Sequence, residues 1–314
     1  MPPKILVITG PTASGKTALA VELAKQYNGE VVSADSMQIY RRMDIGTAKP
    51  TPDEMQGIPH HMIDVADPEE DFSVARYVDM AAAAVDGVLA RGRLPILAGG
   101  TGLYIDSLLS GRTFAAFDEA SPLRAELEGR YAREGGQALL DELARADPES
   151  AARLHPNDGK RIVRALEVWL TTGKTITEHN EETKALPPRY SALILNLDFE
   201  RREDMWARID RRVDRMMEAG LTEEVRALLR SGVPSGCTAM QAIGYKEMAA
   251  ALRGDGDIAA AAAQIKLRSR QYAKRQRTWF RRNSETKKLL WGPVPNFADV
   301  LQRSTAYLEE IGIS

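Results

Sequence analysis

The chain has 314 residues, a length that suits one large domain or two domains of ordinary size. Hydrophobic residues make up 44% and charged residues 27%, which excludes a wholly disordered or collagen-like chain. The net charge of −2, from 42 basic and 44 acidic residues, indicates by itself neither a nucleic acid nor a membrane as partner. A single cysteine, no membrane-length apolar stretch and no signal-peptide layout together predict a cytoplasmic protein without disulfides or membrane contact.

The first hundred residues alternate between strand-like and helix-like patterns. Strands alternating with helices of this length imply a parallel sheet covered by helices on both faces. In such sheets ligands gather beyond the carboxyl ends of the strands, where Gly10, Asp35 and Gly99 are expected. The predicted elements are strands over 5–8, 31–35 and 95–98, and helices over 16–26 and 74–91.

The composition changes from about residue 116 to residue 189. Strand signals disappear there, and segments rich in Ala, Leu, Glu and Arg predict an all-helical insertion. Residues 192–197 return to a strand-like pattern, and the remainder is predicted to be helical. We therefore expect a core formed by 1–115 and 190–314, with a helical domain over 116–189.

Residues 10–17, GPTASGKT, match the phosphate-binding loop G-x-x-x-x-G-K-[ST] and lie between a predicted strand and helix. Backbone N–H groups and the N-terminus of the helix would cradle an anion, with Lys16 as a mobile charge and Thr17 as a ligand of Mg²⁺. The motif does not say which polyphosphate binds. Most such loops hold a nucleotide and need a second, metal-binding carboxylate, for which Asp64 and Asp198 are weak candidates. The residues expected at the anion are Gly10, Thr12, Ala13, Ser14, Gly15, Lys16 and Thr17.

Two further strand ends bear polar groups. Asp35 follows the second strand and is open to three interpretations: metal ligand, general base, or cap of the next turn. Thr101, within the run Gly-Gly-Thr-Gly at 99–102, is either an anion-binding residue or the cap of a glycine turn.

The segment between residues 258 and 284 contains no acidic residue and eight basic ones. On a helix, Arg270, Lys274, Arg277 and Arg281 fall on one face. A solvated charged face is the ordinary interpretation of such a run. Eight cations without a neighbouring carboxylate favour contact with nucleic-acid phosphates instead.

Together these segments resemble the tRNA dimethylallyltransferases, also called tRNA isopentenyltransferases, of the bacterial type. The likeness extends from residue 5 to about residue 283. The motifs that carry it are GPTASGKT (10–17), DSMQIY (35–40), DIGTAKP (44–50), PHHMID (59–64), GGTGLY (99–104), RALEV (164–168), IGYK (243–246) and KRQRTWF (274–280).

The resemblance implies a P-loop NTPase-like α/β fold and transfer of a dimethylallyl group from its pyrophosphate to N6 of adenosine at tRNA position 37. It assigns the loop to the donor pyrophosphate with Mg²⁺, Arg208 and Arg212 to the pyrophosphate or the RNA, and Asp35 to the general base. Thr101 is expected to hold the pyrophosphate and help orient the reacting groups. The partner is the tRNA anticodon stem-loop, and a monomer is expected. The tRNA contacts implied are Asp35, Ser36, Met37, Gln38, Thr101, Arg124, Lys160, Arg161, Ile162, Val163, Arg164, Gln241, Ala242, Ile243, Gly244, Tyr245, Lys246, Arg270, Lys274 and Arg277.

Three other functions compete with this one. A P-loop kinase or NTPase that binds ATP would need the second carboxylate and leaves the basic helix unexplained. An adenylate isopentenyltransferase would use the same donor but a free nucleotide as acceptor, and would need no helical insertion. An RNA-binding module without catalysis is disfavoured because Lys16, Thr17, Asp35 and Thr101 are all present.

Overall fold

The computed structural model describes residues 2–111, 121–184, 187–254 and 256–313. The chain divides into two compact units, one formed by Met1–Leu109 with Arg189–Ser314 and the other by Ser110–Pro188. The expected junction at 115/116 lies outside the described residues. Within the described ranges, no helix is both long and apolar enough to cross a bilayer.

The first unit is built on a parallel sheet with the strand order β3-β2-β4-β1-β5-β6, in which every pair of neighbours is parallel. The predicted sheet is thus confirmed, and strands β2, β4 and β1 are adjacent. The strands are β1 (Lys4–Thr9), β2 (Gly29–Ser33), β3 (His60–His61), β4 (Leu94–Ala98), β5 (Ser191–Phe199) and β6 (Lys287–Trp291).

The prediction that the chain is helical beyond 197 was wrong at β6. This edge strand buries Leu289 and Trp291 but exposes Lys288 and Leu290, so only two of its residues contribute to the core. Such a short, lysine-rich alternation is a weak strand signal, and pairing with β5 supplies what the sequence pattern lacks.

Both faces of the sheet are covered. Leu6 and Ile8 of β1 pack in one hydrophobic cluster with the first helix, whereas Ile5 and Val7 point to the other face and are equally buried. The helices are α1 (Lys16–Gln26), α2 (Pro52–Met55), α3 (Val74–Ala90), α4 (Gly102–Leu109), α5 (Pro122–Glu134), α6 (Gly136–Ala146), α7 (Pro148–Ala151), α8 (Gly159–Thr172), α9 (Ile176–Lys184), α10 (Arg202–Glu218), α11 (Leu221–Arg230), α12 (Tyr245–Arg253), α13 (Ile258–Phe280) and α14 (Phe297–Glu310).

The second unit is helical throughout its described residues and contains α5 to α9. Its own hydrophobic core joins Leu139 and Leu143 of α6 to Ile162 and Leu166 of α8, each pair four residues apart on one helix face. Leu127 of α5 completes this core. A separate core explains why this unit interrupts the first without contributing a strand.

Candidate active site

Three loops leave the carboxyl ends of the adjacent strands β1, β2 and β4, and each carries a predicted site residue. Gly10 begins the loop after β1, Asp35 lies after β2, and Thr101 lies after β4. The loops are bonded to one another as well, since the Thr101 N–H donates to the Ala34 carbonyl at 3.1 Å. The structure therefore brings these three groups to one edge of the sheet.

The loop after β1 has the shape of an anion-binding nest. Ala13 and Gly15 adopt left-handed conformations with φ of 61° and 88°, which turns successive N–H groups to one side. In the described part of the chain, the N–H groups of Ala13, Ser14 and Gly15 donate to no protein acceptor. Gly10 is required because a Cβ there would lie 2.3 Å from the Leu197 carbonyl oxygen. These N–H groups could therefore donate to an anion.

Lys16 lies at the start of α1 with its ammonium group over the loop. Its Nζ donates to the Gly10 and Pro11 carbonyls at 3.2 and 2.9 Å. The pKa of Lys16 is lowered to about 8, chiefly by burial and in part by repulsion from Arg212, while the Asp35 carboxylate acts in the opposite direction. Arg212, named in the sequence analysis beside Arg208, thus shares one electrostatic site with Lys16 and Asp35.

Arg208, predicted to bind pyrophosphate, is connected to the loop through an indole. Its guanidinium lies 5.1 Å from the ring centre of Trp291 and 5.6 Å from that of Phe199. The Trp291 Nε1–H donates to the Ser14 carbonyl at 2.8 Å. One guanidinium nitrogen, Nη1, is buried and has no hydrogen-bond partner among the described residues. A buried, unpaired N–H group is costly, so this guanidinium is a candidate donor to an anion.

Asp35 uses one carboxylate oxygen to form a turn. Its Oδ1 accepts from the N–H groups of Met37 and Gln38 at 2.9 and 3.4 Å. Its Oδ2 accepts no hydrogen bond from any described protein group. The cap and the general-base interpretations are therefore compatible, because they use different oxygens. The Gln38 side chain faces away from that function, since its amide donates to the Ala48 carbonyl at 3.1 Å.

Thr101 joins the Asp35 loop to the glycine run. Its Oγ1 accepts from the Ser36 N–H at 3.0 Å and donates to the Ser36 hydroxyl at 3.3 Å. The glycine at 102 is a packing requirement, since a Cβ there would lie 2.3 Å from the Trp279 ring. Within the described ranges, the Thr101 hydroxyl bonds to Ser36, the residue next to Asp35, and not to the backbone of the glycine run.

Two residues of α13 at this site, Tyr272 and Gln276, are not among the site residues predicted from the sequence. The Gln276 side-chain oxygen accepts from the Thr12 N–H at 2.8 Å, so the Thr12 N–H group points away from the anion nest. Tyr272 lies within hydrogen-bond reach of Thr101 and Gln276. Their spacing of one helical turn, within and beside the KRQRTWF motif, is the signal that could have found them.

Neither candidate for a second metal-binding carboxylate is available. Asp198 lies near the carboxyl end of β5, the strand that pairs with β1, but its Oδ1 lies 2.7 Å from Nε of Arg277. Asp64 lies 2.6 Å from Nζ of Lys49. Both carboxylates are paired with cations, which weakens the case for either as the second metal ligand that nucleotide hydrolysis requires.

The basic face of α13 differs from its prediction. Lys274 is exposed and has no carboxylate partner among the described residues, whereas the other three cations on that face each have one, so the charge of this face is largely compensated. The acidic partners come from β5 and α10, far from α13 in sequence, and counting charges within one segment cannot detect them. The pairs are Lys266 with Asp214, Arg270 with Asp210, and Arg277 and Arg281 with Asp198.

Residues 160–163 of the helical unit divide by burial. Lys160 and Arg161 are exposed at the start of α8, as an RNA contact requires. Ile162 and Val163 are 0% and 3% exposed and belong to the core of the unit, so their side chains cannot contact RNA. The helical period, which the motif match ignores, separates the two pairs.

Arg124 and Arg164, also predicted to contact tRNA, both pair with one buried carboxylate. The Glu167 Oε2 atom lies 3.0 Å from Arg124 and 2.8 Å from Arg164. Burying a lone carboxylate is expensive, so these arginines stabilise α8 against α5 in addition to any contact with RNA.

Residues 241–246, also predicted to contact tRNA, again divide into exposed and buried residues. Gln241 and Lys246 are exposed, and Ile243 is half-buried. Tyr245 is fully buried, and its hydroxyl donates to Glu224, which also accepts the Gly46 N–H at 3.1 Å. This tyrosine therefore supports the 44–47 loop rather than a surface. The other buried residues of the segment are Ala242 and Gly244.

Comparison with known proteins agrees with this geometry. A family model described as IPP transferase matches residues 38–283. The chain is 46% identical over 308 residues to tRNA dimethylallyltransferase 1 of Pelobacter propionicus, which covers 98% of each chain. It is 47% identical over 278 residues to the tRNA dimethylallyltransferase of Acetivibrio thermocellus, at 88% of each.

Solved structures show the same likeness. A tRNA isopentenylpyrophosphate transferase from Bacillus halodurans matches with a TM-score of 0.72 at 41% identity, over 98% of this chain and 97% of that one. A eukaryotic dimethylallyltransferase acting on tRNA matches with a TM-score of 0.83 at 28% identity, over 98% of this chain and 80% of that one. From its sheet-edge site and these likenesses, the chain belongs to the IPP transferase family and is a prenyltransferase of the tRNA dimethylallyltransferase type.

Proposed function

We propose that this site transfers a dimethylallyl group from dimethylallyl pyrophosphate to N6 of the adenosine at tRNA position 37. The observation that carries the proposal is the presence, at one sheet edge, of an anion nest and an Asp35 carboxylate oxygen that has no partner among the described residues. The relatives named tRNA dimethylallyltransferase, and the eukaryotic structure described as acting on tRNA, support the choice of substrates.

The donor's diphosphate would bind in the nest of residues 13–15 and at the positive end of α1. Lys16 contacts this loop, Arg212 acts electrostatically on Lys16, and Arg208 lies against Trp291, which donates to the Ser14 carbonyl. These three cations would face the charge that grows on the diphosphate as it leaves. Donors that are already aligned with a developing charge stabilise the transition state more than water does, because they need not reorganise.

The acceptor needs a base because an exocyclic adenine amine has its lone pair delocalised into the ring. As N6 bonds to C1 of the allyl group, the C1–O bond breaks and its electron pair leaves with the diphosphate. The N6 proton passes to the free Oδ2 of Asp35. Thr101 would orient this loop through its bonds to Ser36.

A magnesium ion fits the donor set at this loop. The described residues hold no cluster of three acidic, histidine or cysteine side chains that could cage a metal. Mg²⁺ does not require one, since it keeps several waters and takes phosphate oxygens with one or two protein ligands. The Thr17 hydroxyl would hold it, and when bound it would supply positive charge to the diphosphate.

The acceptor RNA would be the anticodon stem-loop of tRNA, whose base must leave its stack to reach Asp35. Exposed cations supply the electrostatic attraction that phosphate contacts need. We expect the enzyme to act as a cytoplasmic monomer. The exposed cations among the residues predicted to contact tRNA are Lys160, Arg161, Lys246 and Lys274.

The competing ATP-dependent function is disfavoured by the ion pairs of Asp198 and Asp64, which remove both candidate metal carboxylates. The adenylate isopentenyltransferase alternative shares the donor chemistry. It is disfavoured by the helical unit of residues 110–188, for which a free nucleotide has no use.

The test is a transfer assay with purified protein, dimethylallyl pyrophosphate and Mg²⁺. The acceptors are an unmodified tRNA with adenosine at position 37, the same tRNA with guanosine there, and AMP. We expect the mass of one dimethylallyl group to be added to the first acceptor only. Addition to AMP but to neither tRNA would favour the alternative acceptor, and phosphate transfer from labelled ATP would refute the proposal.

A further inference from the structure

One buried side chain connects two of the three loops at the site. Gln276 of α13 is 5% exposed, and both ends of its amide are engaged. Its Oε1 accepts from the Thr12 N–H at 2.8 Å, and its Nε2 donates to the Gly100 carbonyl at 3.0 Å. Thr12 belongs to the phosphate-binding loop and Gly100 to the loop that carries Thr101, so this amide bridges the ends of β1 and β4.

The bridge depends on a glycine. A Cβ at position 100 would lie 2.2 Å from Nε2 of Gln276, closer than real Cβ contacts come. Gly100 does not have a positive φ, so its backbone conformation does not require glycine. The requirement comes from the close approach of the Gln276 side chain.

Tyr272, one helical turn before Gln276 on the same face of α13, connects this helix through Thr101 to the Asp35 loop. The Tyr272 hydroxyl lies within hydrogen-bond reach of Thr101 and Gln276, and burial raises the pKa of Tyr272 to about 12, so the phenol keeps its proton. Thr101 in turn accepts from the N–H of Ser36, the residue after Asp35. One helix face thus contacts the phosphate-binding loop at Thr12 and the Thr101 loop directly, and is connected to the Asp35 loop through Thr101.

We propose that Gln276 is a positioning residue that fixes the distance between the diphosphate nest and the Asp35 carboxylate. This inference rests on the proposed function, in which the donor is held by one loop and the proton acceptor by another. Gln276 acts through Thr12 and Gly100. Because a misplacement of about 1 Å between reacting groups can lower a rate about 100-fold, a rigid bridge between the loops is where such precision would be maintained.

The first test is Gln276→Ala, compared with Gln271→Ala on the exposed face of the same helix. With both substrates saturating, kcat should fall at least about tenfold relative to the control, since donor and base lose alignment. The KM for dimethylallyl pyrophosphate should change less than about threefold, because the N–H groups of residues 13–15 still bind the diphosphate. A kcat within about twofold of the control, or a loss confined to KM, would overturn the proposal.

Gly100→Ala supplies a double-mutant test. In the wild-type background the added methyl group displaces Gln276 and should lower kcat to the level of Gln276→Ala. In the Gln276→Ala background the space is vacant, so the same methyl group should cost little more. Losses that multiply independently would show that Gly100 and Gln276 do not act through one contact, which would overturn the bridge.

Gln276→Glu keeps the shape of the side chain and makes the bridge dependent on pH, which protects the test against simple misfolding. A neutral carboxyl can accept from Thr12 and donate to Gly100, whereas a carboxylate cannot donate. The ratio of variant to wild-type kcat should therefore rise severalfold as the pH falls from 8 to 6, and that of Gln271→Glu should stay flat. A flat ratio for Gln276→Glu overturns the inference; an inactive wild-type protein overturns the proposed function and the inference together.

Discussion

The residues predicted from motifs lie together at the sheet-edge site, whereas those predicted in the helical unit of residues 110–188 do not share one surface. At the sheet edge, the predicted loop, Asp35 and Thr101 converge, because parallel strands bring their carboxyl ends together whatever lies between them in sequence. In the helical unit, a predicted run of five RNA contacts divides into exposed, buried and ion-paired residues. A loop motif binds through backbone N–H groups, which do not depend on side-chain direction. A helix exposes the side chains of only one face to a partner.

The difference teaches where a family resemblance can be applied residue by residue. The resemblance can be applied in this way to the anion nest, because the proposed binding groups are backbone N–H groups oriented by two left-handed residues, Ala13 and Gly15. It fails for contiguous helical segments, where side chains alternate between solvent and core within four positions.

The largest expected effect tests the sheet edge. Asp35→Asn keeps an oxygen for the turn that Oδ1 forms and removes the base, so kcat should fall about 100- to 10,000-fold, the usual contribution of a general base. The affinity for tRNA, measured by filter binding, should stay within a few-fold. A normal kcat with a large loss of tRNA affinity would show that Asp35 contributes to RNA recognition and not to the reaction.

The next prediction separates the two classes of residue in α8. Ile162→Ala should lower the free energy of unfolding of the helical unit by about 2–5 kcal/mol, since it leaves a cavity in that core. Neutralising Lys160 and Arg161 together should leave thermal unfolding nearly unchanged and reduce the slope of log K for tRNA against log salt by about 1.5. Equal effects of the two changes on unfolding would remove the distinction between core and surface drawn here.

A pH titration tests the charge at the nest. Because burial lowers the pKa of Lys16 to about 8, its ammonium is present below that pH and is lost above it. Affinity for inorganic pyrophosphate should therefore be steady below pH 8 and weaken above it, by up to about tenfold per pH unit. Lys16→Arg, which stays charged, should weaken binding at every pH but remove this dependence. A wild-type affinity that is flat to pH 9.5 would contradict the assignment.

The smallest expected effect concerns α13. Lys274→Gln should reduce the salt dependence of tRNA binding, since this exposed cation has no carboxylate partner in the described ranges. Arg270→Gln should change that slope less and lower stability instead, because it leaves Asp210 without its partner. Identical slopes for the two variants would mean that ion pairing does not distinguish them.

The sequence predicts the core sheet and the loop site well because both depend on local patterns. A strand followed by a glycine loop and a helix is readable over a dozen residues, and the sheet then fixes where Asp35 and Thr101 lie. Strand β6 was missed because only Leu289 and Trp291 mark it as buried.

The bridge and the charge pairs could not be predicted for a different reason. Gln276 lies 264 residues from Thr12, and Arg270 lies 60 residues from Asp210. Such partners are chosen by tertiary packing, and a glutamine in a basic helix looks like any other surface residue in the sequence. Long-range polar pairs are thus the part of this site that only the folded chain reveals.

The central claim is that the allylic carbon–oxygen bond breaks while the diphosphate leaves intact. The most direct measurement uses dimethylallyl pyrophosphate labelled with oxygen-18 at the bridge between C1 and phosphorus, with tRNA as acceptor and mass spectrometry of the products. We predict that every pyrophosphate released retains the label and that the tRNA gains the dimethylallyl group. Label recovered in dimethylallyl alcohol, with unlabelled phosphate products, would place the cleavage at phosphorus and contradict the account.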